Sequence, residues 1–322
     1  MPASTTPQRV LVTGGAGFIG RWVVARLLAT GHETSVLDNL ANGDEANLLE
    51  FTKHPKFRGL QRGDVRHHED VRKAFEARPD VIVHAAAEIE VQKSLDDPRR
   101  HFDANVVGTY HVLEEARRRD ARVALIGTCM VYDTAGQEPI SEEHPTRPAS
   151  PYAGTKLAAE DLAYSYFRGY GLPVTILRPF NTYGPFQKSN QEGGVVSIFV
   201  RRALQGQDLN VYGDGTQTRD LLYVEDCAEF IVTAAFHPKA AGEVLNAGLG
   251  RDIAIKDLAL LIAKDPKRVK FVPHHHPQSE VQKLLCDRRK AKEVLGWEPK
   301  VTLEEGVRRL TDWMRTQGAL AR

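Results

Sequence analysis

The 322 residues carry 43 Lys and Arg against 42 Asp and Glu, a formal net charge of +1 at pH 7. That balance gives no electrostatic case for nucleic acid or an anionic membrane surface and leaves small molecules and other proteins as partners. The length exceeds one ordinary core, so a large domain with a smaller lobe, or two domains, is expected. Cys129, Cys227 and Cys286 lie far apart without paired spacing, which argues against a disulfide framework and a zinc site and for reduced thiols in a soluble, cytoplasmic protein. Met1 to Arg9 is polar with two prolines and reads as neither a signal peptide nor a membrane-spanning start, and no later apolar run reaches membrane length.

In chain order, Val10 to Thr13 is a β-branched run that leads into Gly14, Gly17 and Gly20, and apolar periodicity through Trp22, Val23, Leu27 and Leu28 predicts a helix. Strand, glycine turn and helix together suit a pyrophosphate: the backbone can approach it without a Cβ in the way, and the helix N-terminus favours the anion. A second strand, Glu33 to Leu37, ends at Asp38, eighteen residues after Gly20. A carboxylate there can accept both ribose hydroxyls of an adenosine and repel a 2′-phosphate, favouring NAD over NADP. Asp64, in Arg62-Gly-Asp-Val65, is a candidate for the adenine amino group or a plain turn residue. Pro79 to His84 predicts a buried strand opening into Ala85, Ala86 and Ala87, small residues against which a cofactor could lie, with Glu88 and Glu90 next. A helix over about 102–119, with Asn105 near its start, precedes the strand Arg122 to Ile126.

Strands alternating with helices predict an α/β fold, a doubly wound parallel sheet with ligands at the carboxyl ends of its strands. Those ends carry the chemistry. The strand after Arg122 runs into Thr128, Cys129, Met130 and Tyr132, and the following helix starts with Tyr152-Ala-Gly-Thr-Lys156. Four residues apart, a phenol and an ammonium share one helical face, so Lys156 can stabilise the phenolate of a tyrosine whose ordinary pKa is about 10. Leu172 to Leu177 is a further strand. Beyond Arg178-Pro-Phe-Asn181 a second lobe begins, with a helix over about 196–204, the stretch Leu209 to Asp220, and a surface amphipathic helix from Leu303 to Met314. Arg219 could clamp a diphosphate or simply be solvated. His274, His275 and His276 are consecutive in an extended loop without further ligands at metal spacing, so no metal is expected.

Taken together, Thr13 to Gly20, Asp38-Asn-Leu, Gly63-Asp-Val65, His84 to Ala87, Tyr152-x-x-x-Lys156, Arg178 to Pro185, Tyr212 to Asp220 and Leu295 to Lys300 resemble the extended short-chain dehydrogenase/reductase family of nucleotide-sugar epimerases and dehydratases, nearly end to end. The resemblance implies a Rossmann-type NAD-binding domain over residues 1–178 and a smaller α/β lobe over 179–322 that holds a UDP-sugar, with segments returning to the first domain. It implies NAD contacts from Gly14, Gly17, Phe18, Ile19, Gly20, Asp38, Asn39, Asp64, Val65, Ala85, Ala86, Ala87, Tyr152 and Lys156. Thr128 looks like the hydroxyl on the substrate 4-hydroxyl, Tyr152 like its base, Lys156 like the ribose anchor, and Asn181, Val195, Tyr212 and Arg219 like sugar-nucleotide contacts. A homodimer joined by a four-helix bundle, from helices near 104–118 and 152–169, is also implied. Where relatives place a phosphate-binding arginine after Glu-Val, Glu280-Val281 is followed by Gln282.

Sugar 4,6-dehydratases of the family carry Asp-Glu after the threonine; here Cys129-Met130 stands there, and methionine transfers no protons. One reading makes Cys129 an inert small residue, as in a UDP-glucose or UDP-GlcNAc 4-epimerase. The other makes Cys129 the base at carbon 5 beside a transient 4-ketone, with Glu88 protonating the departing 6-hydroxyl. That Cys-Met pair is similar to the UDP-N-acetylglucosamine 5,6-dehydratases of tunicamycin-type antibiotic biosynthesis, and this is the favoured expectation. A catalytically silent nucleotide-binding protein would have no need for Tyr152 and Lys156 at this spacing.

Overall fold

The computed structural model describes residues 7–133, 138–189, 194–273 and 282–320. Its first half runs β1 (Arg9–Thr13), α1 (Phe18–Ala29), β2 (Glu33–Asp38), β3 (Phe57–Arg62), α2 (His68–Ala74), β4 (Val81–His84), α3 (Val91–Asp96), α4 (Pro98–Phe102), α5 (Gly108–Arg117), β5 (Arg122–Ile126), α6 (Pro151–Tyr170) and β6 (Val174–Pro179). The second half adds β7 (Asn181–Tyr183), α7 (Val195–Leu204), β8 (Leu209–Tyr212), β9 (Thr218–Tyr223), α8 (Val224–Phe236), β10 (Val244–Ala247), β11 (Asp252–Ala254), α9 (Ile255–Ala263), β12 (Val269–Val272), α10 (Arg289–Leu295) and α11 (Leu303–Leu320).

Seven strands form one parallel sheet in the order β10-β6-β5-β4-β1-β2-β3. Val10 to Val12 and Val81 to Val83 are at most 1% exposed, as strands covered on both faces require, which is why they read as unbroken apolar runs rather than alternating ones. On one face α1 and α8 supply Val23, Val24, Leu27, Phe230 and Ile231 to the core. The other face is covered by α2, α5 and α6 through Val71, Val112, Leu113, Ala163 and Tyr166. Strand order reverses between β1 and β4, so the loops after β2 and β4 leave on opposite sides of the glycine turn and a crevice opens at the carboxyl ends.

Chain segments from beyond residue 178 return to this sheet: β10 pairs with β6, and α8 lies on its α1 face. The remainder packs as a lobe of two small sheets, β11-β9-β7 and β12-β8, around Tyr183, Phe199, Leu209, Val211, Leu221, Leu258 and Leu310. The C-terminal helix is therefore half core, and it continues to Leu320 rather than ending at Met314.

Capping explains where the predicted boundaries moved. The helix expected over 102–119 starts at Pro98, because Asp97 accepts the Arg100 N–H (3.2 Å) and proline is tolerated at the first helical position. One π turn, Asp103–Val107, then joins α4 to α5. Helix α6 is set by Ser150, which accepts the Ala153 N–H (3.2 Å), by Pro151, and by Gly171 at φ 70° past its end.

Between β6 and α6, Arg178 donates to Glu160 Oε2 at 2.9 and 2.7 Å, with the two residues 6% and 2% exposed. Removing one partner strands a buried charge, so Arg178→Met should lower unfolding free energy by about 3–5 kcal/mol. Urea denaturation measures this, and a loss below about 1 kcal/mol would show the pair to be dispensable.

Candidate active site

At the carboxyl end of β1, Gly14 has φ 72°, and a Cβ there would lie 2.6 Å from the Ala86 nitrogen. A Cβ on Gly20 would lie 2.1 Å from the Gly14 carbonyl oxygen. Only hydrogen fits at either position, so the turn and helix close tightly on the strand. Helix α1 begins after Gly17 with no side-chain cap, which leaves its first-turn N–H groups available to an anion; Phe18 and Ile19 form that turn, half-buried. Ala85, Ala86 and Ala87 line the far wall, held where Ala86 N–H donates to Thr13 Oγ1 (3.3 Å). Thr13 is itself bonded to His84 Nδ1 (2.6 Å), and burial drives that imidazole down to about 3, so it stays neutral.

Asp38 accepts N–H bonds from Ala16 (2.9 Å) and Leu40 (2.8 Å) and is buried, which raises its pKa against the pull of those bonds. Asn39 donates to Asp64 (2.8 Å). Burial alone would raise Asp64, but hydrogen bonds from Arg66 and Asn39 bring it down to about 2. Both Asp64 oxygens are thus committed within the protein, and Val65 is buried against Gly108. A glycine turn, an uncapped helix and an anionic residue ending β2 fit a dinucleotide.

Past β5, Thr128 caps a short turn by accepting the Met130 N–H (3.2 Å), and its hydroxyl lies beside the Tyr152 phenol. Burial pushes the Tyr152 phenol up to about 12, with Thr128 pulling the other way. Lys156, expected to steady the phenolate, instead donates to the Ile126 carbonyl and faces Glu160. Burial pushes Lys156 down to about 8 against Glu160's opposing charge. Cys129 is 3% exposed and packs with Tyr132, Ile140, Phe180, Leu284 and Cys286, and that enclosure raises its thiol to about 12. The leading influence in the opposite direction is the charge of Arg219, which places Cys129 toward the second lobe.

From the lobe come Asn181 on β7, whose buried Oδ1 has no hydrogen-bond partner among the described residues, half-buried Val195 opening α7, Tyr212 ending β8 at 44% exposure, and Arg219 on β9. Glu88 does not stand free as an acid: its carboxylate is ion-paired with Arg100 at 2.7 Å. Among the described residues no three His, Cys, Asp or Glu side chains group as metal ligands, and no helix is long and apolar enough to cross a membrane. His274 to His276, Glu280 and Val281 lie outside the described residues; the Gln282 carbonyl accepts the Thr218 N–H (2.8 Å).

Four polar residues that the sequence reading left without a role hold these groups in place. Glu160 and Arg178 are one pair of them. Asn105 bonds Glu88 and Thr155, and Asp220, fully buried and raised to about 6 by burial, accepts N–H bonds from Leu249, Gly250 and Cys286. The four-residue helical spacing from Lys156 to Glu160 was the available signal for Glu160, and none pointed to Arg178 as its partner.

The sequence profile of the NAD dependent epimerase/dehydratase family matches residues 10–248. The chain belongs to that family. It is 36% identical to a UDP-glucose 4-epimerase of Mycolicibacterium smegmatis, over 96% of this chain and 99% of that protein. Among solved structures, Pal from Bacillus thuringiensis superposes with a TM-score of 0.93 at 51% identity, covering 96% of this chain and 99% of that one. A Thermus thermophilus UDP-glucose 4-epimerase in complex with NAD gives 0.86 at 35% identity, covering 95% and 99%. This is an NAD-dependent enzyme of the nucleotide-sugar epimerase and dehydratase kind.

The depressed Lys156 carries a pH signature. Between its folded value of about 8 and the ordinary 10.5 the unfolded chain holds the extra proton, so this group's contribution to stability rises with pH across that window. In cofactor-free protein, Lys156→Met should remove up to about 1.4 kcal/mol per pH unit of that slope in urea unfolding. An equally steep slope in the variant would contradict the assignment.

Proposed function

We propose that the enzyme oxidises carbon 4 of a UDP-hexose and later returns the hydride to the same carbon, so that NAD is not consumed. Bound NAD supplies the hydride acceptor. Thr128 orients the 4-hydroxyl, Tyr152 takes its proton, and Lys156 would hold the nicotinamide ribose, from where its charge would lower the phenol from about 12. Asn181, Val195, Arg219 and Tyr212 hold the UDP portion, Asn181 with its unpartnered Oδ1.

The observation that carries the reading is the placing of Thr128 beside the Tyr152 phenol, one helical turn from Lys156, with no carboxylate following Thr128. With Cys129 enclosed by apolar neighbours and its thiol held neutral, the outcome supported best is inversion at carbon 4, a UDP-glucose or UDP-GlcNAc 4-epimerase. The likeness to UDP-glucose 4-epimerases over nearly the whole chain supports it too.

One observation favours a second reading, a UDP-GlcNAc 5,6-dehydratase: Cys129 adjoins Thr128 and lies under the field of Arg219. There a thiolate takes the carbon 5 proton, hydroxide leaves carbon 6, and hydride returned to the 4-ketone gives a 5,6-ene sugar. In either reading two copies join through α5 and α6, which lie side by side and expose Tyr110 and Tyr164.

Incubation with UDP-glucose and with UDP-GlcNAc in deuterated water, followed by NMR, separates the outcomes. The 4-epimer should form with hydrogen retained at carbon 5; an alkene without epimer would replace the epimerase reading by the dehydratase. Cys129→Ala should keep turnover within about threefold, whereas Tyr152→Phe should lose about 10²–10⁴-fold.

A further inference from the structure

Glu88 is 6% exposed, and its contacts assign it to a task other than proton transfer. Its Oε1 receives Arg100 Nε (2.8 Å) and Nη2 (2.7 Å), and its Oε2 receives Asn42 Nδ2 (3.3 Å). Its backbone is pinned as well: Glu88 N–H donates to Asn105 Oδ1 (2.9 Å), and Asn105 Nδ2 donates to the Glu88 carbonyl (3.0 Å).

Asn42 and Glu88 come from opposite sides of the glycine turn, the loops after β2 and β4, which flank β1 on either side. Each loop rests on the turn. A Cβ on Gly43 would lie 2.8 Å from the Ala16 carbonyl carbon, and Asp44 N–H donates to the Ala16 carbonyl (3.2 Å). On the other side the Ala86 nitrogen is 2.6 Å from where a Gly14 Cβ would be. The Asn42–Glu88 contact therefore links the two walls of the groove whose floor is the anion-binding turn, and Arg100 on α4 anchors the link.

We propose that Asn42, Glu88 and Arg100 form a clasp over the pyrophosphate of NAD and set the rate at which the cofactor leaves. A redox-neutral cycle needs such retention: if reduced cofactor departs while the sugar is a ketone, the hydride cannot be returned. The clasp is a positioning device, since none of its side chains has to touch a reacting atom. Arg100 is 43% exposed in its side chain and Glu88 7%, so the pair sits at the protein–water boundary and salt screens it.

The test uses the full-length enzyme loaded with NADH, chased with excess NAD, with the loss of bound-NADH fluorescence followed at low and high salt. Arg100→Ala and Glu88→Gln should release cofactor about three- to tenfold faster. Salt should speed release from the unmodified enzyme but not from Arg100→Ala. Arg99→Ala, which removes an exposed neighbour paired with Asp103 on the same stretch of helix, should behave as the unmodified enzyme does. Release rates within about twofold, with the salt dependence intact in both clasp variants, would overturn the proposal. Glu88→Gln keeps the side-chain volume and an oxygen for Asn42, so it remains informative if Arg100→Ala does not fold. No sugar enters the measurement, so its result is separate from that of the proposed reaction.

Discussion

A positive charge held out of water lies behind the whole site. Lys156 is 5% exposed, and its ammonium is tolerated there because the Ile126 carbonyl accepts from it and Glu160 faces it, while Glu160 is in turn held by Arg178. Burying such charges singly would cost several kcal/mol each. Sharing them among β5, α6 and β6 makes the geometry of the three elements interdependent, so Thr128 at the end of one and Tyr152 at the start of another meet in a fixed relation.

The parallel sheet supplies the rest of the arrangement. All its strands point their carboxyl ends the same way, and the order reversal beside β1 parts the loops there, so the glycine turn, Ala85 to Ala87 and Thr128 line one crevice. The lobe built on β7, β8 and β9 carries Asn181 and Arg219. The charge of Arg219 reaches Cys129 across from the lobe.

Cys129 shows how environment decides what a residue type can do. A thiol next to Thr128 suggests a base, but wrapped by Phe180, Leu284, Cys286 and Ile140 it is held protonated. The same burial raises Tyr152, yet that phenol lies beside the Thr128 hydroxyl, which lowers it, and within one helical turn of Lys156. Glu88 shows the converse: a carboxylate beside the cofactor groove is a plausible acid until Arg100 and Asn42 occupy it.

By itself the sequence determined the sheet, the glycine turn with Asp38, the Tyr152–Lys156 spacing and the family, because each rests on local patterns: apolar runs, glycines where no Cβ fits, and two residues one helical turn apart. It could not reveal partners brought from far along the chain. Asn42 and Glu88 are 46 residues apart, Glu160 and Arg178 are 18, and Asn105 and Thr155 are 50. That Glu88 is paired with Arg100 and that Cys129 is enclosed by apolar side chains follows only from the tertiary packing that chose which groups share a buried space, since desolvation and hydrogen-bond partners set the charge a side chain can carry.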